Sequence, residues 1–186
     1  MIRNSLFHYF VSFAIALAML SCGNSHTKPP KKTNIQSKEF QDKLVDANKM
    51  YVKRESDEID QYVAHQGWQM ITTGTGLRYM IIKKGAGRSA KPDSNETVKV
   101  KVKFKKSLLD GTLCYSSDST GAEEFVVGKD NVETGLHEGI QFMHVGDKAV
   151  MILPSHLAYG LVGDGKKIPP KASILYELEL VSLKIK

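Results

Sequence analysis

An α+β fold, with a curved antiparallel sheet wrapped around one short helix and an N-terminal helix in front of it, is what the sequence predicts. Three observations lead there. Thr97–Lys105, TVKVKVKFK, puts Val98, Val100, Val102 and Phe104 on one side and four lysines on the other, the period of two expected of a half-buried strand. Past the N-terminal region only Asn131–His144 carries helical spacing, with Leu136, Ile140 and Met143 at i, i+4 and i+7. Gly146–Lys184 reads as strand, long loop, strand, with Pro154 ending the first strand because it has no N–H to give a ladder. One short helix among several antiparallel strands implies a sheet folded over that helix.

The chain opens with an address. Residues 1–21 carry Arg3, an apolar run Tyr9–Leu20 too short for a stable membrane span, and Ser21 just before Cys22. This resembles a bacterial lipoprotein signal, cut before a cysteine that then takes the lipid, with Met19 in place of the usual leucine. An ordinary secretory signal cut nearby is the alternative. On the lipoprotein reading Cys22 is the lipidation site and anchors the protein to a membrane. Cys114 is then the one thiol left of two, and the mature chain keeps 6 − 1 = +5 charges. Residues 22–35 form a flexible, lysine-bearing tether containing Pro29-Pro30.

Residues 36–66 read as a helix, with Ser37 as N-cap, Glu39 in the first turn and Gly67 as the stop. Phe40, Leu44, Ala47 and Tyr51 make a narrow apolar stripe that Ile59, Tyr62 and Val63 resume, with a possible break near Ser56. The stripe fits packing on the domain, which we favour, or pairing with a second copy as a homodimer arm.

The domain proper spans 67–186. A strand opens at Gly76-Leu77-Arg78-Tyr79 and runs to about Lys83, and Gly85-Ala86-Gly87 turns the chain. After Thr97–Lys105, Asp110-Gly111 is the strongest hairpin signal present and leads into Thr112–Ser117. Glu124–Val127 is a further short strand. Asp147–Leu153 and Ser173–Leu183 close the sheet, the latter alternating apolar and charged residues. The loop between them holds Leu157, Tyr159, Leu161, Val162 and Ile168, more apolar groups than a solvated spacer needs, which points to a binding element; an Ω-loop burying its own apolar residues is the alternative.

Several chemistries are excluded. A composition 41% hydrophobic and 25% charged is ordinary globular material, and the +6 charge is spread without an aromatic-arginine stripe, so no nucleic acid is expected as partner. Gly85–Ala90 matches a loose dinucleotide fingerprint, but Pro92 and a polar run follow it instead of a helix. Gly160–Lys167 nearly matches a phosphate loop, yet it lacks the Ser/Thr for Mg²⁺ and runs into Pro169-Pro170. The six histidines show no metal-ligand spacing, no nucleophile elbow is present, and nothing marks Cys114 as a nucleophile. Neither metal nor cofactor is expected.

Gly76-Leu77-Arg78-Tyr79, Leu109-Asp110-Gly111-Thr112, Gly139…Met143…Gly146, Leu157-Ala158-Tyr159-Gly160, Ile168-Pro169-Pro170 and Leu175-Tyr176-Glu177-Leu178-Glu179-Leu180 occur in that order. Together they resemble the FKBP-type peptidyl-prolyl isomerases over Gly67–Lys186. With the lipoprotein signal and preceding helix, the chain is similar to envelope FKBP lipoproteins of Bacteroidetes, including those linked to gliding. The resemblance implies an FKBP-like sheet with an apolar pocket between sheet and helix. Tyr159 would be the catalytic residue, donating to a substrate carbonyl, with the backbone N–H of Glu133 as a second donor. Phe104, Tyr115, Phe125, Val132, Glu133, Leu136, Ile168 and Tyr176 would bind substrate, with Cys114 at the rim. No cofactor is implied.

Cys114-Tyr115, Glu123, Glu133 and Leu136 depart from the family pattern, removing apolar wall and an acidic group. The resemblance thus implies a membrane-tethered isomerase that assists folding of envelope proteins, facing the periplasm. A non-catalytic module that binds proline-containing segments of a partner is the alternative, and aggregation suppression through Leu157–Val162 a third.

Overall fold

The computed structural model describes residues 38–186; the expected signal, Cys22, the tether and the expected N-cap Ser37 lie outside the described residues. The described residues fall into two units, Lys38–Lys43 and Leu44–Lys186. In the first, Lys43 Nζ meets Glu39 Oε1 at 2.7 Å, both side chains exposed.

Helix α1, Lys38–His65, is continuous. The break that the sequence allowed near Ser56 does not occur. A serine inside a helix is unfavourable because its hydroxyl competes for backbone groups, but here the Arg78 guanidinium engages it, Nη2 donating to Ser56 Oγ at 2.6 Å. Gly67, at φ +66, closes the helix. Its N–H donates to Ala64 O and that of Trp68 to Val63 O, the paired bonds of a left-handed C-terminal cap.

Seven strands follow: β1 Ile71–Thr72, β2 Arg78–Lys83, β3 Val98–Leu108, β4 Leu113–Ser116, β5 Glu123–Val126, β6 Lys148–Leu153 and β7 Ile174–Ile185. They form one antiparallel sheet in the order β1-β2-β6-β7-β3-β4, with β5 also on β3. β4 pairs with Lys105–Ser107 and β5 with Lys99–Val102, so two short strands share one flank of β3 in succession. The β3–β4 hairpin turns at Asp110-Gly111 as expected, with Leu108 N–H donating to Thr112 O. β3 is longer than expected, continuing three residues past Lys105.

Helix α3, Thr134–Ile140, is shorter than the helical spacing suggested. Glu133 is extended at φ −58, ψ 137, and Phe142 and Met143 fold back in tight turns onto Gly139 O and Ile140 O. Nor is α3 the sole helical element within the domain. The turn α2, Ser117–Thr120, is capped by Ser116 Oγ, which accepts from Asp118 N–H, and Ser155–Leu157 is a 3₁₀ turn. Elements of three or four residues carry no periodicity to read.

The main core lies between the sheet and α3 and contains Val98, Val100, Val102, Leu136, Ile140, Met151 and Tyr176. The helix approaches closely because it presents glycine: a Cβ on Gly135 would stand 2.6 Å from Leu153 Cγ, and one on Gly139 2.4 Å from Met151 Sδ. A second core occupies the opposite face, where Ile59, Tyr62 and Val63 of α1 cover Val150, Ile152 and Leu175. β6 is therefore buried on both faces, which is why Ala149–Leu153 is a continuous apolar run where a one-sided strand would alternate.

Candidate functional site

Pairing in the sheet lines up one row of side chains on the face toward α3. Tyr115 pairs with Lys106, Lys106 with Tyr176, Tyr176 with Met151 and Met151 with Tyr79. Directly opposed residues of antiparallel strands point to the same face, so a lysine stands in the middle of an otherwise apolar and aromatic row. It is buried, 6% exposed.

The Lys106 ammonium is enclosed. Nζ donates to Glu133 Oε1 at 2.5 Å and to the Tyr159 hydroxyl at 2.7 Å. The ring centroids of Phe104, Tyr115, Tyr159 and Tyr176 lie 5.6, 5.6, 5.2 and 5.1 Å from it, within cation–π range. Burial pushes the Glu133 carboxyl up, but the charge and hydrogen bond of Lys106 outweigh it, helped by Tyr159 and the residue's own amide N–H. The carboxyl thus titrates below its ordinary value and is ionised at neutral pH. Tyr159 is driven far above the ordinary tyrosine value by burial and by neighbouring Glu133, and so stays protonated. Tyr176, fully buried, is raised in the same way, and its hydroxyl makes no hydrogen bond among the described residues that meets distance and angle.

Tyr159 rides on the loop 154–173, which is fastened at both ends from α1. The buried Glu55 carboxylate accepts from Ser155 N–H at 2.7 Å, Ser155 Oγ at 3.2 Å and Ser173 Oγ at 2.8 Å. Tyr51 adds a hydroxyl contact to Ser155 Oγ and donates to Lys171 O, each at 3.1 Å. Within the loop, Asp164 Oδ1 accepts from Lys166 and Ile168 N–H, both at 2.8 Å, while Oδ2 accepts from the Tyr115 hydroxyl. Burial opposes ionisation of Asp164, but these hydrogen bonds prevail and hold its carboxyl at about 2. Gly163 is required for this tight path: at φ +70 its missing Cβ would fall 2.2 Å from Ile168 O.

The expected site residues divide into three groups. Phe104, Tyr115 and Tyr159 line an open hollow of about 420 Å³, together with Lys106, Glu123 and Asp164. Val132 and Glu133 line an adjoining hollow of about 300 Å³ that also touches Lys106, Glu123 and Tyr159. Phe125, Leu136, Ile168 and Tyr176 line neither hollow; they are buried in the core, 0–2% exposed. Phe125 packs edge-on against His137, centroids 5.6 Å apart, and Tyr176 forms a floor beneath the Lys106 ammonium. Cys114 is buried with a free thiol that burial pushes up. The expected apolar hollow is thus present as a set of walls, but a charged pair stands inside it.

Sequence reading missed Lys106, and the signal was available. The alternation that turns Phe104 inward turns Lys106 inward too, once β3 continues past Lys105. Among the described residues no three His, Cys, Asp or Glu side chains gather where a metal ion could be held. The site offers instead a protonated tyrosine hydroxyl beside aromatic walls, equipment for binding and polarising a carbonyl.

A family model for FKBP-type peptidyl-prolyl cis-trans isomerases matches residues 90–181. The FkpA isomerase of Aeromonas hydrophila is 39% identical over 112 residues, covering 60% of this chain and 40% of that protein. FK506-binding protein 2 of Yarrowia lipolytica is 35% identical over 108 residues, covering 58% of this chain and 75% of that protein. The chain spans about two fifths of the length of the FkpA relatives it matches. Among solved structures, FkpA from Escherichia coli superposes with a TM-score of 0.60 at 22% identity, covering 99% of this chain and 74% of that one, a likeness of fold. AtFKBP13 superposes with a TM-score of 0.56 at 25% identity, covering 61% of this chain and 98% of that one. With the sheet, the short crossing helix and the Tyr159 loop in place, the chain belongs to the family of FKBP-type peptidyl-prolyl cis-trans isomerases.

Proposed function

We propose that this protein is a peptidyl-prolyl cis-trans isomerase acting on X–Pro bonds of envelope proteins, with Tyr159 as the residue that binds the substrate carbonyl. One observation carries this reading: four aromatic rings, those of Phe104, Tyr115, Tyr159 and Tyr176, converge on a single point beside an open hollow. Rotation about an X–Pro bond is opposed by amide resonance, a barrier of roughly 18–20 kcal/mol. A low-dielectric aromatic wall favours the twisted, less dipolar amide over the planar one. A hydroxyl donor on the carbonyl fixes the rotating bond, and no nucleophile or cofactor is needed. Phe104, Tyr115, Val132 and Glu133 would contact the substrate first, over a floor of Phe125, Leu136, Ile168 and Tyr176.

The cellular setting belongs to the same proposal. The signal-like residues before Cys22 support a lipid anchor on Cys22 and a periplasmic face, in the manner of envelope FKBP lipoproteins of Bacteroidetes. Incorporation of labelled fatty acid that a Cys22→Ala variant fails to take up is the expected result.

A second reading, a non-catalytic module that binds proline-containing segments, is favoured by one specific observation: Tyr115, bonded to Asp164, and the buried Leu136 stand where the family pattern has an acidic group and a tryptophan. A cis/trans exchange measurement on a short X–Pro peptide decides between them. The isomerase accelerates exchange in proportion to protein concentration; no acceleration at high protein concentration leaves the binding module.

A further inference from the structure

We propose that Lys106 is an internal occupant of the hollow, and that a client segment enters only after its ammonium moves from Glu133 outward to the rim carboxylates of Glu123 and Asp164; this rests on the hollow being a site for proline-containing segments. Lys106 reaches the space between the rings from β3, at the level of the Tyr176 ring, and its ammonium holds the point on which the four rings converge. While it stays there, the Tyr159 hydroxyl is taken up by the Lys106 N–H donor and the Glu133 carboxylate rather than facing a client.

The contact is built for exchange. Glu123 and Asp164 line the same 420 Å³ hollow as Lys106, so the four-carbon stem has acceptors on the open side as well as the buried one. Glu123, about half buried, is raised by that burial and relieved by the charge of Lys106, so an approaching ammonium is favoured there. Moving outward keeps the ammonium paired but leaves the buried Glu133 carboxylate without its cation, a cost that a client has to meet in order to bind. Lys106 thereby sets which clients are bound: those able to displace it.

The test compares wild type, Lys106→Ala and Lys106→Ala/Glu133→Ala, the last removing both charges so that no buried carboxylate is left unpaired. Each is titrated with an Ala-Leu-Pro-Phe peptide, with affinity read from NMR shifts and exchange rate from the cis and trans peptide signals. Both variants are expected to bind at least tenfold more tightly than wild type. Equal or weaker affinity in the folded variants overturns the proposal. Glu123→Gln is expected to weaken the peptide in wild type but not in the Lys106→Ala background; an equal effect in both removes the outward path. Tighter binding with no acceleration of exchange by any of the three proteins keeps Lys106 as occupant and refutes the isomerase. Wild type as fast and as tight as the variants keeps the isomerase and refutes the occupant. Absence of binding in all three refutes both.

Discussion

Lys106 Nζ lies 2.5 Å from Glu133 Oε1, and the two side chains are 8% and 6% exposed, so a β-strand lysine and the residue opening the crossing helix form an ion pair almost out of reach of water. Two charges in such a place are stabilised by each other more than they stabilise the fold, because each loses its hydration on burial. Lys106→Met is expected to cost about 3–5 kcal/mol by stranding the Glu133 carboxylate, whereas Lys106→Met/Glu133→Leu changes stability far less. Urea unfolding of wild type, both single variants and the double variant checks this, and additive single effects would remove the pair as a unit.

The same pair sets an acid limit. Glu133 titrates below its ordinary value in the folded chain, so its contribution is full above the unfolded carboxyl value and is lost as pH falls through the lower folded one. Asp164, held at about 2, acts in the same direction. The urea midpoint is expected to hold steady from pH 7 to about pH 5 and then to decline. In Lys106→Met the step assigned to Glu133 should vanish; a decline of unchanged shape counts against the assignment.

Tyr159→Phe keeps the ring and removes the hydroxyl. Losing one hydrogen bond to a carbonyl is worth about 1 kcal/mol or more, so exchange or peptide affinity should fall roughly five- to tenfold. Cys114→Ser is expected to change either only modestly, since its sulfur faces the backbone carbonyls of Thr112 and Lys167 at 3.7 Å. Equal rates for wild type and Tyr159→Phe would exclude the hydroxyl from the mechanism.

Glu55→Ala leaves one backbone N–H and two serine hydroxyls without their acceptor. Bonds to a charged acceptor contribute about 1.5–3 kcal/mol each, and water recovers part of that, so a loss of roughly 2–4 kcal/mol is expected. The distinguishing readout is amide hydrogen exchange. Protection should drop first at Gly160 and Lys171, whose N–H groups donate to Ser155 O and Gly160 O within the loop, before it drops in β3.

The sheet was legible because its strands announce themselves: Val98 to Phe104 by alternation, Asp110-Gly111 by turn chemistry, Pro154 by its missing donor. The aromatic walls were legible through the family resemblance. What escaped were features that depend on length or on partners far away in the chain. Lys106 reads as one more solvated lysine unless β3 is carried past Lys105. Ser56 looks like a helix breaker until Arg78, 22 residues on, is seen to bind it. Glu55 looks like any exposed helix carboxylate, since its three partners lie 100 to 118 residues downstream. Phe125 and Ile168 match pocket positions of the family in the sequence, but depth beneath the surface is not a property of position.

Because β6 is covered on both sides, the part of the chain that similarity picks out lacks one of those covers. A fragment trimmed to the family match at residues 90–181 would lose β1 and β2, and would also strip the lid from Val150, Ile152 and Leu175. Such a fragment would present a bare aliphatic patch, prone to clumping in solution. Laboratory work on the pocket therefore has to begin upstream of Tyr51, with the helix kept as part of the same folding unit.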